Sequence, residues 1–162
     1  MFNSQNTPFP LMSLKSRALR ALSQREYSRL ELFKKLSEFE STTGELDAVL
    51  NELESKGFLN EERHAESLAR KRSEKHGVSR IRQEMKSKGV PQPIADKTLQ
   101  ALQDTELERA KALWAKRFGE LPLDAKMLQR QQRFMMYRGF NAETVRMVLK
   151  QAPGSSHAEH EL

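Results

Sequence analysis

Arg133-Phe134-Met135-Met136-Tyr137-Arg138-Gly139-Phe140 is a helix running into its stop, and the same ending recurs at Lys88-Gly89-Val90 and Lys56-Gly57-Phe58. A glycine just past a last helical turn can take the left-handed conformation that closes a C-cap. The cation before it suits the negative end of the helix dipole, and the apolar residue after it folds back onto the last turn. His76-Gly77-Val78 reads as a looser fourth copy and Phe118-Gly119 as a fifth stop, so five of the seven glycines read as helix punctuation. Such a chain is a series of short helices in repeat. Its function belongs on helix surfaces.

Working outward from these stops, the apolar spacing predicts nine helices. The first covers about 13–23, with Leu14, Ala18, Ala21 and Leu22 inward. Ser28 with Glu31 is a capping box for the second, whose apolar side is Leu32, Leu36 and Phe39. Thr42 with Glu45 opens the third, with Leu46, Val49, Leu50 and Leu53 in its stripe. Asn60 can cap a fourth carrying Ala65, Leu68 and Ala69. The fifth, about 79–88, has only Ile81 and Met85 as anchors. The sixth starts beyond Pro91 and Pro93 with Ile94, Thr98, Leu99 and Leu102. Thr105 with Glu108 boxes the seventh, which carries Leu107, Ala110, Leu113, Trp114 and Phe118. Asp124 caps the eighth (Met127, Leu128, Phe134, Met135) and Asn141 the ninth (Val145, Val148, Leu149).

The expected class is therefore all-α, built as three tandem three-helix repeats over 13–59, 60–103 and 104–152. A loose arm, 1–12, precedes them and a disordered tail, 153–162, follows. The chain of 162 residues is 37% hydrophobic and 31% charged, lean for one deep core but enough for small units burying one stripe per helix. With no cysteine, no apolar run long enough to span a bilayer and no signal-peptide pattern at the start, the expectation is a soluble cytoplasmic protein.

The net charge of +6 is unevenly placed. Residues 38–62 hold eight acids and one lysine, whereas 63–90 carry nine basic residues against three acids and 109–150 carry ten against three. Basic blocks of this kind suit a polyanion or an acidic protein groove; a solvated helical surface is the plainer reading. The clusters are Arg70, Arg72 and Lys75 (with Lys71) on the fourth helix, Arg80, Arg82, Lys86 and Lys88 on the fifth, and Arg130, Arg133 and Arg138 on the eighth, beside Tyr137. The fifth helix buries so little that most of its surface must face outward, which makes it a candidate for phosphate or carboxylate contact. Trp114, Phe118, Phe134 and Phe140 fall on core stripes, so base stacking along a single strand is not supported.

Catalytic patterns are missing. There is no GxxxxGK[ST] and no GxGxxG, and His64, read as a surface or half-buried packing residue, has no nucleophile or orienting carboxylate beside it. His157 and His160 with Glu159 and Glu161 read as an acidic tail rather than a metal site. The expectation is no enzyme, no cofactor and no metal.

Three segments together are more specific. Arg80-Ile81-Arg82-Gln83-Glu84-Met85 leading to Lys88-Gly89-Val90, then Lys116-Arg117-Phe118-Gly119, then Gln132-Arg133-Phe134-Met135-Met136-Tyr137-Arg138-Gly139-Phe140 resemble, in order and spacing, the bacterial RecX family of recombinase modulators. The resemblance covers about 13–150. It implies tandem three-helix repeats in an elongated, curved body that binds the RecA recombinase, chiefly its filament on DNA. It also implies inhibition of ATP hydrolysis, strand exchange and co-protease activity, as part of recombination, DNA repair and the SOS response. A monomer with at most a weak direct DNA contact and no membrane association is expected. The alternative is a DNA-binding regulator using helix-turn-helix-like units, since short helices, glycine turns and basic residues fit that as well.

Overall fold

The three principal glycine stops end as their spacing predicts. At Gly57, Gly89 and Gly139, φ is +76°, +76° and +90°. The glycine N–H bonds Glu54, Lys86 and Met136 in turn, and the next N–H bonds Leu53, Met85 and Met135, which is the paired pattern of a Schellman cap. The apolar fold-back holds at Val90 and Phe140, which are buried. At the first stop it moves one residue on, because Leu59 is buried while Phe58 is 51% exposed.

The structure, a computed structural model, describes residues 11–154. Among these it has nine α-helices and no strand: α1 (Leu14–Leu22), α2 (Arg29–Leu36), α3 (Glu45–Ser55), α4 (Glu61–Ser73), α5 (Val78–Ser87), α6 (Gln92–Gln103), α7 (Glu106–Arg117), α8 (Ala125–Tyr137) and α9 (Ala142–Gln151). No helix of the described residues is long and apolar enough to cross a membrane. Most of the expected arm and tail, with His157, Glu159, His160 and Glu161, lies outside the described residues.

The helices fall into consecutive sets of three, each with its own buried cluster. Leu32, Leu36, Leu46, Leu50 and Leu53 centre the first; Ala65, Leu68, Ile81, Met85 and Leu99 the second; Ala110, Trp114, Met135, Phe140, Val145 and Val148 the third. Two compact units result, one ending at Asn60 and one beginning at Glu61 and holding the second and third sets. In the first unit Lys15 on α1 reaches Glu52 on α3 at 2.6 Å. Bonds from Lys15 and Lys56 hold the Glu52 carboxyl down at about 2.

Several local expectations hold. Ser28 and Glu31 form the reciprocal capping box, and Asp124 and Asn141 accept from Met127 and Thr144 at 2.7 and 2.8 Å. Others are corrected. α2 ends at Leu36, and Ser37–Phe39 continues as a 3-10 turn that leaves Phe39 40% exposed under the Arg17 guanidinium. The N-cap of α3 is Gly44, not Thr42: the Glu40 carboxylate accepts from the Gly44 and Leu46 N–H groups and so replaces the hydroxyl cap. Thr105 caps nothing with its side chain, because its hydroxyl donates to the Leu102 carbonyl. His64 is deeper than expected, at 3% exposed.

On α8 the inward residues are Gln131 and Met135, so the first of them is polar. Met127 is 38% exposed, whereas Gln131 is buried, accepting from Trp114 Nε1 at 2.8 Å and donating to the Glu120 carbonyl at 3.0 Å. A glutamine serves here because it satisfies a buried indole N–H and a carbonyl at once. Gln131→Leu strands both groups and should lower stability by about 1–3 kcal/mol. Urea unfolding followed by Trp114 fluorescence reads this loss directly.

Candidate partner-binding surface

The second and third helix sets meet backbone to backbone. Gly77 opens α5 in extended conformation, and a Cβ on it would lie 2.3 Å from the Gly139 carbonyl oxygen. Gly77 is thus no fourth C-cap. It is glycine because another main chain occupies its side-chain space, and its N–H donates to the Arg138 carbonyl at 2.8 Å. Gly139 is crowded from the other side, where a Cβ would meet Arg80 Cβ at 2.4 Å.

Two α7 side chains complete the joint. Glu106, nearly buried, accepts from the Val78 N–H at 2.8 Å, putting a carboxylate on the positive end of α5. Arg109 donates to the carbonyls of Ser73 and His76 at 2.8 and 2.9 Å and of Leu102 at 3.0 Å. Its charge is spent on carbonyls left open at the ends of α4 and α6 and in the α4–α5 turn. Within this joint the His76 Nδ1 is buried without a hydrogen-bond partner among the described residues. Burial first, then the positive charge of Arg138, holds the imidazole below its ordinary 6.5. As pH falls through 6.5 the unfolded chain takes this proton before the folded one, so folding stability is full above that pH and declines below it. In urea titrations from neutral to mildly acidic pH, His76→Gln should flatten that decline.

The joint fixes cations from two sets against aromatic rings. Arg80 on α5 lies 5.2 Å from the centroid of Tyr137, a ring left 71% exposed. Arg138 and Arg117 lie 5.1 and 5.6 Å from the Phe134 centroid, and Phe118 meets Phe134 edge-on at 5.3 Å. Two grooves share Arg117 and Phe134. One runs along α7 and α8 past Lys126, Arg130, Arg133 and Tyr137; the other lies between the end of α4 and α7–α8 and includes Lys75, Lys116 and Arg138. Lys116, Lys126, Arg130 and Arg133 make no ion pair among the described residues, so their charge faces solvent.

Of the residues expected to bind a partner, the grooves collect Lys75, Arg130, Arg133, Tyr137 and Arg138, and Arg80 adjoins through Tyr137. Arg72 is instead held by Glu84 through two bonds of 2.8 and 2.9 Å; Lys88 reaches the same carboxylate at 3.5 Å, and Arg82 pairs with Asp96. Arg70 and Lys86 are exposed but line neither groove. Charge counting along single helices singled out neither Lys116 nor Lys126. Lys126 stands one turn before Arg130 on α8, a spacing that could have found it, whereas Lys116, beside Arg117 on α7, joins the cluster only when α7 and α8 pack.

Comparison with known proteins agrees with this architecture. A family model for the second three-helix domain of RecX matches residues 60–99, and one for the third three-helix domain matches 104–149. The chain is 49% identical over 143 residues to regulatory protein RecX of Leptothrix cholodnii, covering 88% of this chain and 91% of that one. It is 41% identical over 138 residues to regulatory protein RecX of Ralstonia pickettii, with 85% and 87% covered. The crystal structure of RecX from Lactobacillus salivarius superposes with a TM-score of 0.74 over 86% of this chain and 94% of that one; at 19% identity it speaks for the fold. With helix order, paired domain matches and near-full-length relatives in accord, the chain belongs to the RecX family of regulatory proteins.

Proposed function

We propose that this protein is a negative regulator of the RecA recombinase that docks on the recombinase–DNA filament and slows ATP hydrolysis, strand exchange and co-protease activity. The observation that carries this reading is the cationic and aromatic surface shared by two helix sets, in a chain of a regulatory family. The protein works by binding, in the cytoplasm and as a monomer, with the segments 13–59, 60–103 and 104–152 each acting as one repeat. A filament repeats its surface from subunit to subunit, and a series of small helical units offers a long contact for few residues. Inhibition follows only if the protein binds one subunit arrangement more tightly than the arrangement that hydrolysis and exchange must visit.

A secondary contact with DNA is favoured by Tyr137, an exposed ring among Arg80, Arg130 and Arg133 on which a base can stack. Titration separates the readings. On single strands coated with RecA and a non-hydrolysable ATP analogue, binding should be tighter than on bare DNA or to free recombinase. Tighter binding to bare duplex, with sequence preference and a steep salt slope, would instead establish a direct DNA regulator.

A further inference from the structure

The groove between the end of α4 and α7–α8 is not uniformly basic. Ala112, Leu113 and Phe134 give it an apolar floor, with Ala112 exposed and the other two half-buried. Lys75 and Lys116 stand at its edge, and Glu74 lines it as well. We infer that this groove takes an acidic, amphipathic polypeptide segment, with an aliphatic or aromatic side chain seated on Ala112 and Leu113 beside Phe134 and flanking carboxylates on Lys75 and Lys116. The inference deepens the proposed function, since it rests on the reading that the chain docks on a protein, and it names the chemistry of the segment that docks.

Three features favour a peptide over a phosphate chain. An apolar floor offers a phosphate nothing, but it shelters a hydrophobic anchor from water and strengthens the charge pairs around it. The Phe134 ring is already engaged by two guanidinium groups and by Phe118, so it is not an open platform for a base. A phosphate chain carries a charge at every step and must set one against Glu74, whereas a peptide can turn a backbone N–H to it and keep its carboxylates on the lysines. The rim cations set sign and the floor sets the need for an apolar anchor. Together they make a specificity that charge alone does not supply.

The test is fluorescence anisotropy on the full chain at physiological salt with three labelled probes. Two are short peptides with equal numbers of Asp and Glu, one holding a central Leu-Phe and the other Ser-Ser in its place; the third is an oligothymidylate. The Leu-Phe peptide should bind about tenfold more tightly than its Ser-Ser counterpart, the worth of one buried apolar side chain. With helicity unchanged, Ala112→Asp should remove most of that advantage, whereas Lys116→Glu should weaken both peptides several-fold. The inference is overturned if the Leu-Phe peptide does not bind, if the two peptides bind alike, or if the oligonucleotide displaces the peptide from the groove and loses affinity in the same variants. Recombinase ATP hydrolysis is read on the same preparation. Inhibition without peptide selectivity removes the groove and leaves the proposed function; peptide selectivity without inhibition does the reverse.

Discussion

Gly77→Ala should destabilise the unit formed by α4–α9 by about 3 kcal/mol or more, the upper range for forcing atoms into a filled site. The backbone conformation is not the cause, because Gly77 has φ −78°, which alanine adopts freely. The obstacle is that the new methyl would lie 2.3 Å from the Gly139 carbonyl oxygen and 2.6 Å from the Phe140 nitrogen, both main-chain atoms that no rotamer change can move. Relief requires the α8–α9 turn to leave the α4–α5 turn. That separation breaks the Gly77–Arg138 bond and strains the Glu106 and Arg109 contacts beside it. Gly119→Ala is the comparison. Its φ of +70° is one alanine resists, yet its nearest obstacle is a carbonyl oxygen of its own helix at 3.2 Å. The cost there should be about 1–2 kcal/mol. Trp114, the chain's one tryptophan and a core residue of this unit, reports both unfolding transitions. Equal costs would show that the two helix sets are not locked at this contact.

Reversing charge at Lys116 and Arg133 together should weaken binding to the RecA filament by about tenfold or more at physiological salt, with the difference shrinking as salt is raised. Both are exposed helix positions with no ion pair among the described residues, so Lys116→Glu and Arg133→Glu should change stability by no more than about 0.5 kcal/mol. Arg117 and Arg138 are poorer choices because they also pack on Phe134. Arg70→Glu, on α4 and outside both grooves, controls for net charge. Its effect should be several-fold smaller if the grooved surface makes the contact. Filament capture on immobilised single strands measures the double variant and the control, and a loss of binding free energy merely in proportion to the charge reversed would mean that only the overall positive charge matters.

Helix number, order and most stops were legible because their causes are local. A capping box spans four residues, a Schellman cap six, and an apolar stripe a few turns, so Ser28 with Glu31 and the glycines at 57, 89 and 139 announce themselves. The misreadings share another cause. Gly77 looks like a helix stop until the chain returns with Gly139, and nothing near Glu106 or Arg109 in sequence shows that they bond residues 28 to 36 positions earlier. Apolar periodicity also ranked Met127 above Gln131 for the interior, because it counts hydrophobicity and cannot see that Trp114 needs an acceptor. The basic character of the candidate surface was readable from composition. Its membership was readable only in part: Lys126, Arg130 and Arg133 share one face of α8 by spacing, but Lys116 on α7 joins their groove system only through tertiary packing.

We hold that this chain acts by docking on the assembled recombinase. The most direct test is the rate of ATP hydrolysis by RecA filaments preformed on single-stranded DNA, followed as the purified protein is added. The rate should fall with dose until the filament is saturated. An undiminished rate, at concentrations where capture shows the protein bound to the filament, would contradict it.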